Sequence, residues 1–283
     1  MKRLAFLVVL AGCGDELDQR LSIIDEPRVL AVIAEPAEAK PGAQVMFHAI
    51  AASPDGPLAT VPHWAFCTAP KSPTEDNVVS DDCVRGSALA DLGTADVVTG
   101  TLPSDGCLRF GPDTPPGGFR PRAADGTGGY YQPVRADVDA LVAFGLARIT
   151  CKLPTAPGDV AHDYDVRYVA NANPILDPIA IDRVSANSDV TLAASWPADA
   201  VETYLYFDPD SQTLVTRREA MRVSWFATAG SFAVDATAVG EDDTATTAST
   251  TWHTPGPGTV HLWFVLRDSR GGIAVRDAAI VIE

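Results

Sequence analysis

Short apolar runs with a period of two recur along the chain, set apart by Gly, Pro, Asp and Asn. In 43–51, AQVMFHAIA, Val45, Phe47 and Ala49 fall on one face and Met46, His48 and Ile50 on the other. HWAFC (63–67) places Trp64 and Phe66 opposite Cys67. The same period marks PVRADVD (133–139), LVAFGLARITC (141–151) and YDVRYVA (164–170). It returns in DVTLAASW (189–196) and MRVSWFATAG (221–230). RVLAVIAEP (28–36), rich in β-branched and apolar residues, is also strand-like. TVHLWFVLRD (259–268) is apolar on nearly both faces and is expected to be a central strand of a sandwich. Strands of this length at regular spacing predict an all-β chain built of β-sandwiches.

The pattern breaks in two places. Residues 70–133 lose regularity, and GPDTPPGGFRPRAADGTGGYYQP (111–133) is dense in Gly and Pro. A loop of that length inside a compact domain points to a functional segment. NANPILDP (171–178) supports no periodic element and is expected to be an interdomain linker. The predicted organisation is therefore a first sandwich over 27–170 with a long Cys/Gly/Pro-rich insertion, a linker over 171–178 and a second sandwich over 179–283.

The N-terminus follows different rules. Lys2 and Arg3 precede LAFLVVLA (4–11), then Gly12 and Cys13. Eight apolar residues span about 12 Å as a helix, against a hydrocarbon core of roughly 30 Å, so the run is too short to span a bilayer. It predicts a secretory leader over 1–12, followed by an acidic tether over 13–26. Leu10-Ala11-Gly12-Cys13 resembles the bacterial lipoprotein signal. The resemblance implies cleavage before Cys13 and acyl chains on its thiol, which hold a protein to a membrane effectively for good when two or more are present. Gly14 after the cysteine, with Asp15 one position later, favours the outer membrane, the protein facing the periplasm or the cell surface.

Similarity extends along the body of the chain. PRVLAVIAEPAEAKPG (27–42), GGYYQPVR (128–135), YVANANP (168–174), MRVSWFATAGSF (221–232) and TTWHTPGPGTVHLWFVLRDSRGG (250–272) resemble lipoprotein families frequent in myxobacteria and their relatives. Trp252, Pro255, the strand after them and the Asp268–Gly271 turn are similar to bacterial immunoglobulin-like (PKD-like) domains. This implies two tandem Ig-like sandwiches behind a lipid anchor, and it brings no catalytic residue.

Charge narrows the partners. The net charge is −16, and both basic residues ahead of Cys13 lie in the leader. Such a surface repels phosphate backbones, and the densest basic pair is Arg217-Arg218, so nucleic acid is excluded as a partner. Membrane attachment then rests on the acyl chains of Cys13. The remaining cysteines, Cys67, Cys83, Cys107 and Cys151, are even in number in an oxidising compartment and predict two disulfides. Of the three connectivities, Cys67–Cys151 with Cys83–Cys107 is the expected one.

Candidate chemistry is sparse, and no cofactor or metal is expected. H-E-x-x-H, G-x-S-x-G and the P-loop are all missing from the sequence, and the chain is read as non-enzymatic. His253 and His261 are the histidines most open to metal binding across strands, but a turn and an exposed strand position are the plainer reading. His162, Asp163 and Asp165 read as the polar start of a strand, with the two carboxylates opposite the imidazole. The clusters Asp208–Asp210 and Glu241–Asp243 lack the spacing of a calcium loop and read as solvated turns. Tyr130 and Tyr131, at the end of the Gly-rich run, are the candidate contacts for an envelope protein or a glycan. The expected role is a structural or protein-binding module, with glycan binding or adhesion as the alternative.

Overall fold

The computed structural model describes residues 21–71 and 79–283. The leader, Cys13 and most of the tether lie outside them. The described chain is all-β, with two sandwiches in sequence.

The first sandwich comprises β1 (Arg28–Glu35), β2 (Glu38–Ala39), β3 (Gln44–Ser53), β4 (Gly56–Leu58), β5 (His63–Cys67), β6 (Leu89–Thr94), β7 (Val97–Thr101), β8 (Gly129–Val138) and β9 (Leu141–Thr150). Short helices α1 (Asp81–Val84) and α2 (Gly106–Arg109) interrupt the strands, and α3 (Gly158–Arg167) follows them. One sheet has the order β1-β3-β4, with β7 also on β3, and the other is β2-β9-β8-β5-β6. Val32, Val45, Phe47 and Val98 from the first sheet meet Trp64, Phe66, Val134 and Ile149 from the second. The alternation in 43–51 is thus the cause of the core: Val45 and Phe47 point inward and are fully buried.

The second sandwich comprises β10 (Arg183–Val184), β11 (Asp189–Ser195), β12 (Thr203–Asp208), β13 (Thr213–Arg218), β14 (Met221–Ala227), β15 (Ser231–Phe232), β16 (Ala236–Val239), β17 (Thr247–His253), β18 (Gly258–Asp268) and β19 (Ile273–Ile282). Sheet β10-β19-β18-β14-β16 faces sheet β11-β17-β15, and β12-β13 forms a separate hairpin. Trp225, Leu262, Phe264 and Ile280 on one side pack against Leu192, Phe232 and Trp252 on the other.

A third core lies between the sandwiches. Leu30, Ala31 and Ile33 of β1, with Ala52 of β3, pack against Trp263 and Val265 of β18, and Ile24 joins them. This explains why the run at 259–268 is apolar on both faces, and β1 is covered on both faces as well. A sandwich strand normally exposes one face to water. In β18, Leu262, Phe264 and Leu266 serve the inner core, while Trp263 and Val265 are buried against the first sandwich. The four sheets therefore stack, and β18 is central to the whole molecule rather than to one sandwich.

Two expectations need correction. The disulfides are Cys67–Cys83 and Cys107–Cys151, with Cα separations of 5.4 and 5.7 Å, not Cys67–Cys151 and Cys83–Cys107. Helix α1 brings Cys83 beneath β5, and α2 brings Cys107 to the end of β9, so each bridge pins a short helix to a strand. Residues 164–167 belong to helix α3 rather than to a strand, with Tyr164 as its buried residue. Segment 171–178, which joins the sandwiches, is packed, with Asn171 and Leu176 buried. The C-terminal end of the tether docks: Ile24 N–H donates to Ala227 O at 2.8 Å and Ala227 N–H donates to Ser22 O at 2.9 Å.

Candidate functional site

The chemistry-bearing residues of the described chain gather at the junction of the sandwiches. Glu38 of β2 is its centre, with a side chain that is fully buried. Its Oε2 accepts from Tyr168 Oη at 2.7 Å and from Asn171 N–H at 2.9 Å, and its Oε1 accepts from Thr150 Oγ1 at 2.9 Å. Arg148 of β9 lies against it, Nε to Oε2 at 3.1 Å. The charges touch, although that N–H is not aligned for a hydrogen bond. Arg148 Nη2 donates instead to Thr127 Oγ1 at 2.8 Å.

Arg270 supplies the second buried cation from the turn between β18 and β19. Nε donates to Glu219 Oε1 at 2.7 Å and Nη2 to Glu202 Oε2 at 2.9 Å. Nη1 reaches Tyr168 Oη and Val169 O, each at 3.3 Å. The turn that aims it is closed by Asp268, whose Oδ1 accepts from Arg270 N–H at 2.8 Å and Gly272 N–H at 2.9 Å. Asn171 Nδ2 binds the same carboxylate. Gly272 is required here: a Cβ would stand 2.1 Å from Asp268 Oδ2 and 2.8 Å from Ala172 O. At Gly129, likewise, a Cβ would fall 1.9 Å from Arg148 Cζ.

Three buried carboxylates, Glu38, Glu219 and Asp268, with the half-buried Glu202, thus gather about two buried guanidiniums, and the imbalance appears in their ionisation. Burial pushes the Glu219 carboxyl up to about 7. Nearby Asp268 adds to the rise, and Arg270 opposes it. Burial also raises the Tyr168 and Tyr164 phenols, with Glu38 contributing to both. For Arg148 burial, the largest influence, favours the neutral form, but Glu38, Tyr168 and Tyr131 together outweigh it and hold the guanidinium more firmly charged. For Arg270 burial is again the largest single influence, and Glu219 and Tyr168 together outweigh it. The arrangement clamps the two sandwiches together.

The residues expected from sequence lie elsewhere or do other work. Tyr130 is a core residue of the first sandwich, and its Oη accepts from Asp125 N–H at 2.8 Å. Tyr131 is half-buried and crosses the junction, donating to Arg270 O at 3.2 Å. His162, Asp163 and Asp165 fall on α3, where Asp163 pairs with Arg167 at 2.6 Å. His253 pairs with Asp189 at 2.9 Å on the surface, while His261 lies against Trp263. Asp208 holds its own turn through Asp210 N–H and Ser211 Oγ, and these hydrogen bonds depress its carboxyl. Asp243 does likewise for Ala245 N–H. Among the described residues no group of three or more His, Cys, Asp or Glu is placed to hold a metal ion.

Sequence reasoning missed Glu38, Arg148, Glu202, Glu219 and Arg270.

No family model matches the chain, and no curated protein matches it. Solved structures similar to it include the fibronectin(III)-like modules of Clostridium thermocellum CbhA, at 11% identity over 90% of this chain and 92% of that chain, with a TM-score of 0.24. The D00-D0 domain of intimin matches at 10% identity over 91% of this chain and 98% of that one, TM-score 0.26. The N-terminal Ig1-2 module of the Drosophila receptor protein tyrosine phosphatase DLAR matches at 10% over 91% and 99%, TM-score 0.25. Scores this low carry no argument, and the fold rests on the strand pairings described above.

Proposed function

We propose that the chain is a non-enzymatic, lipid-anchored envelope protein that serves as a stiff structural or protein-binding module. The supporting observation is the junction, where an apolar core and a buried ionic cluster join two sandwiches that a flexible linker would have left free to move. The chain's ends of interest are also separated. β13 leads into β14 through Glu219 and Ala220, so hairpin β12–β13 extends from the Met221 end of its sheet, and Phe207 N–H of that hairpin donates to Gly126 O of the Gly/Pro loop. The tether docks at the other end, on Ala227.

Attachment would be through acyl chains on Cys13, in the outer membrane. From Cys13 to Leu21 the chain reaches at most about 29 Å, so the Gly/Pro loop would point away from the anchor. Phe119, 95% exposed at that loop, is then the leading contact, with Arg120 and Arg122 beside it. Glycan stacking on Tyr130 and Tyr131 loses its support, since one ring is buried and the other hydroxyl is engaged.

In-vivo cross-linking from position 119, followed by mass spectrometry, tests the reading. One recurrent envelope protein, lost on Phe119→Ser, is the expected result. Recovery of envelope glycan without a dominant protein would replace it with the glycan-binding alternative. Loss of acyl labelling and of membrane association on Cys13→Ser tests the anchor.

A further inference from the structure

Strand β9 has an open edge. Its register with β8 runs unbroken from Leu141 to Thr150. Cys151 N–H donates toward β8, to Gly128 O, whereas Arg148 N–H donates away from it, to Ala37 O. By alternation, the backbone groups of Val142, Phe144 and Leu146 also point away from β8. Strand β2 pairs only with Arg148 and Ile149, so among the described residues these three positions have no ladder partner. An unpaired edge is a template for another strand.

That edge lines a cleft of about 600 Å³ between the sandwiches, shared with Leu30 of β1, Tyr131 and Arg267. Val142 and Leu146 are 48% and 37% exposed, which leaves apolar side chains at alternate positions for a visiting strand to meet. Charge reaches the cleft from Arg267, Asp268 and Arg28; Arg28 is already paired with Asp25 at 2.9 Å and Asp268 is taken up by the amides of its own turn, which leaves Arg267 unanswered. Arg267 of β18 pairs in register with Arg222 of β14, a like-charge cross-strand pair that is unfavourable by itself. Among the described residues neither has a carboxylate partner, and Arg267 donates only to Leu30 O at 3.0 Å. Burial and the neighbouring Arg222 both disfavour the charged form of Arg267. Arg28 stands at the same cleft.

We infer that this cleft receives an extended, acidic segment of a partner protein as an added strand on the edge of β9. Main-chain groups of Val142, Phe144 and Leu146 supply the hydrogen bonds, and a carboxylate of the segment answers Arg267 and Arg222. The inference rests on the protein-binding reading but concerns a different face from the Phe119 loop. Failure here would leave the cross-links from Phe119 intact, and their failure would leave this site standing.

The test titrates the purified full chain with a fluorescent alternating Glu–Val peptide and its Lys–Val counterpart. Saturable binding of the Glu–Val peptide alone is expected, weakened by salt. Val142→Pro deletes one outward N–H without touching the β8 ladder, as an edge strand allows, and should lower affinity at least about tenfold. Arg267→Gln should do the same, and the exposed Arg222→Gln serves if that variant does not fold. Equal binding of both peptides would overturn the proposal, as would absence of Glu–Val binding or indifference to Val142→Pro. Concentration-dependent self-association that blocks the peptide would overturn it in favour of a second copy of the chain.

Discussion

The junction holds by two different means along its length. At the tether end, Leu30, Ile33, Trp263 and Val265 exclude water by apolar contact alone. At the far end, Glu38, Arg148, Glu219 and Arg270 are equally dry but charged. Apolar contact is tolerant of small shifts and indifferent to orientation. A buried ionic cluster is neither. Desolvation consumes most of its attraction, and replacing such a cluster by well-packed apolar groups is often neutral or stabilising. The charged half therefore contributes geometry more than strength. It fixes which face of the 268–272 turn meets segment 168–173, while the apolar half supplies the adhesion.

The sharpest way to break this contrast is Arg270→Ala, which strands Glu219 and Glu202 without their cation. A loss of about 3–5 kcal/mol is expected from denaturant unfolding, because an uncompensated buried charge costs more than the pair contributed. Replacing both partners, as Arg270→Met with Glu219→Leu, should recover most of that loss. A double variant as unstable as Arg270→Ala would show that the cluster adds net strength, contrary to the contrast drawn here. Trp263→Ala in the apolar half should cost about 3–4 kcal/mol through lost burial and the cavity left behind, and no second substitution on the charged side should restore it.

A smaller effect separates the halves by pH. Glu219 has its folded-state carboxyl raised to about 7 from an ordinary value of 4.5, so the folded chain binds the extra proton. Stability tied to this group is therefore fully present at low pH and is lost as pH rises from about 4.5 through 7. Melting temperature should fall between pH 5 and 8 by more in the wild type than in Glu219→Gln, and identical slopes would remove Glu219 from the account. Smallest of all, Phe119→Ser touches neither half and should change stability by no more than about 0.5 kcal/mol, while abolishing the loop's cross-links.

How far the sequence announced this molecule depends on the kind of interaction. Sequence pattern located β1, β3, β5, β8, β9, β11, β14 and β18, because a half-buried strand writes its burial into alternate positions. Helix α3 escaped since YDVRYVA alternates as well as a strand does, and the helix is chosen by Tyr164 packing beside Tyr168, a contact local pattern does not encode. The cysteines were counted correctly and paired wrongly, because pairing depends on where two four-residue helices place Cys83 and Cys107. The junction was least legible. Glu38 lies 181 residues before Glu219 (219 − 38), Glu219 and Arg270 sit outside strands and 51 residues apart, and a buried charge looks the same in sequence as a solvated one. What did show was the surplus in β18: a strand apolar on both faces needs two covers, and 259–268 had declared the second one.

The docking of Ser22–Ile24 on Ala227 gives the molecule a route for force. If the N-terminus is held at a surface and the Gly/Pro loop is gripped by something else, tension does not run first along β1. It enters at the Ile24–Ala227 clip, passes through β14 and its neighbours, and crosses to the first sandwich where Arg270 and Glu38 lie. The first sandwich is then loaded at the disulfide between Cys107 and Cys151, beside the loop, where a covalent crosslink takes the pull in place of hydrogen bonds.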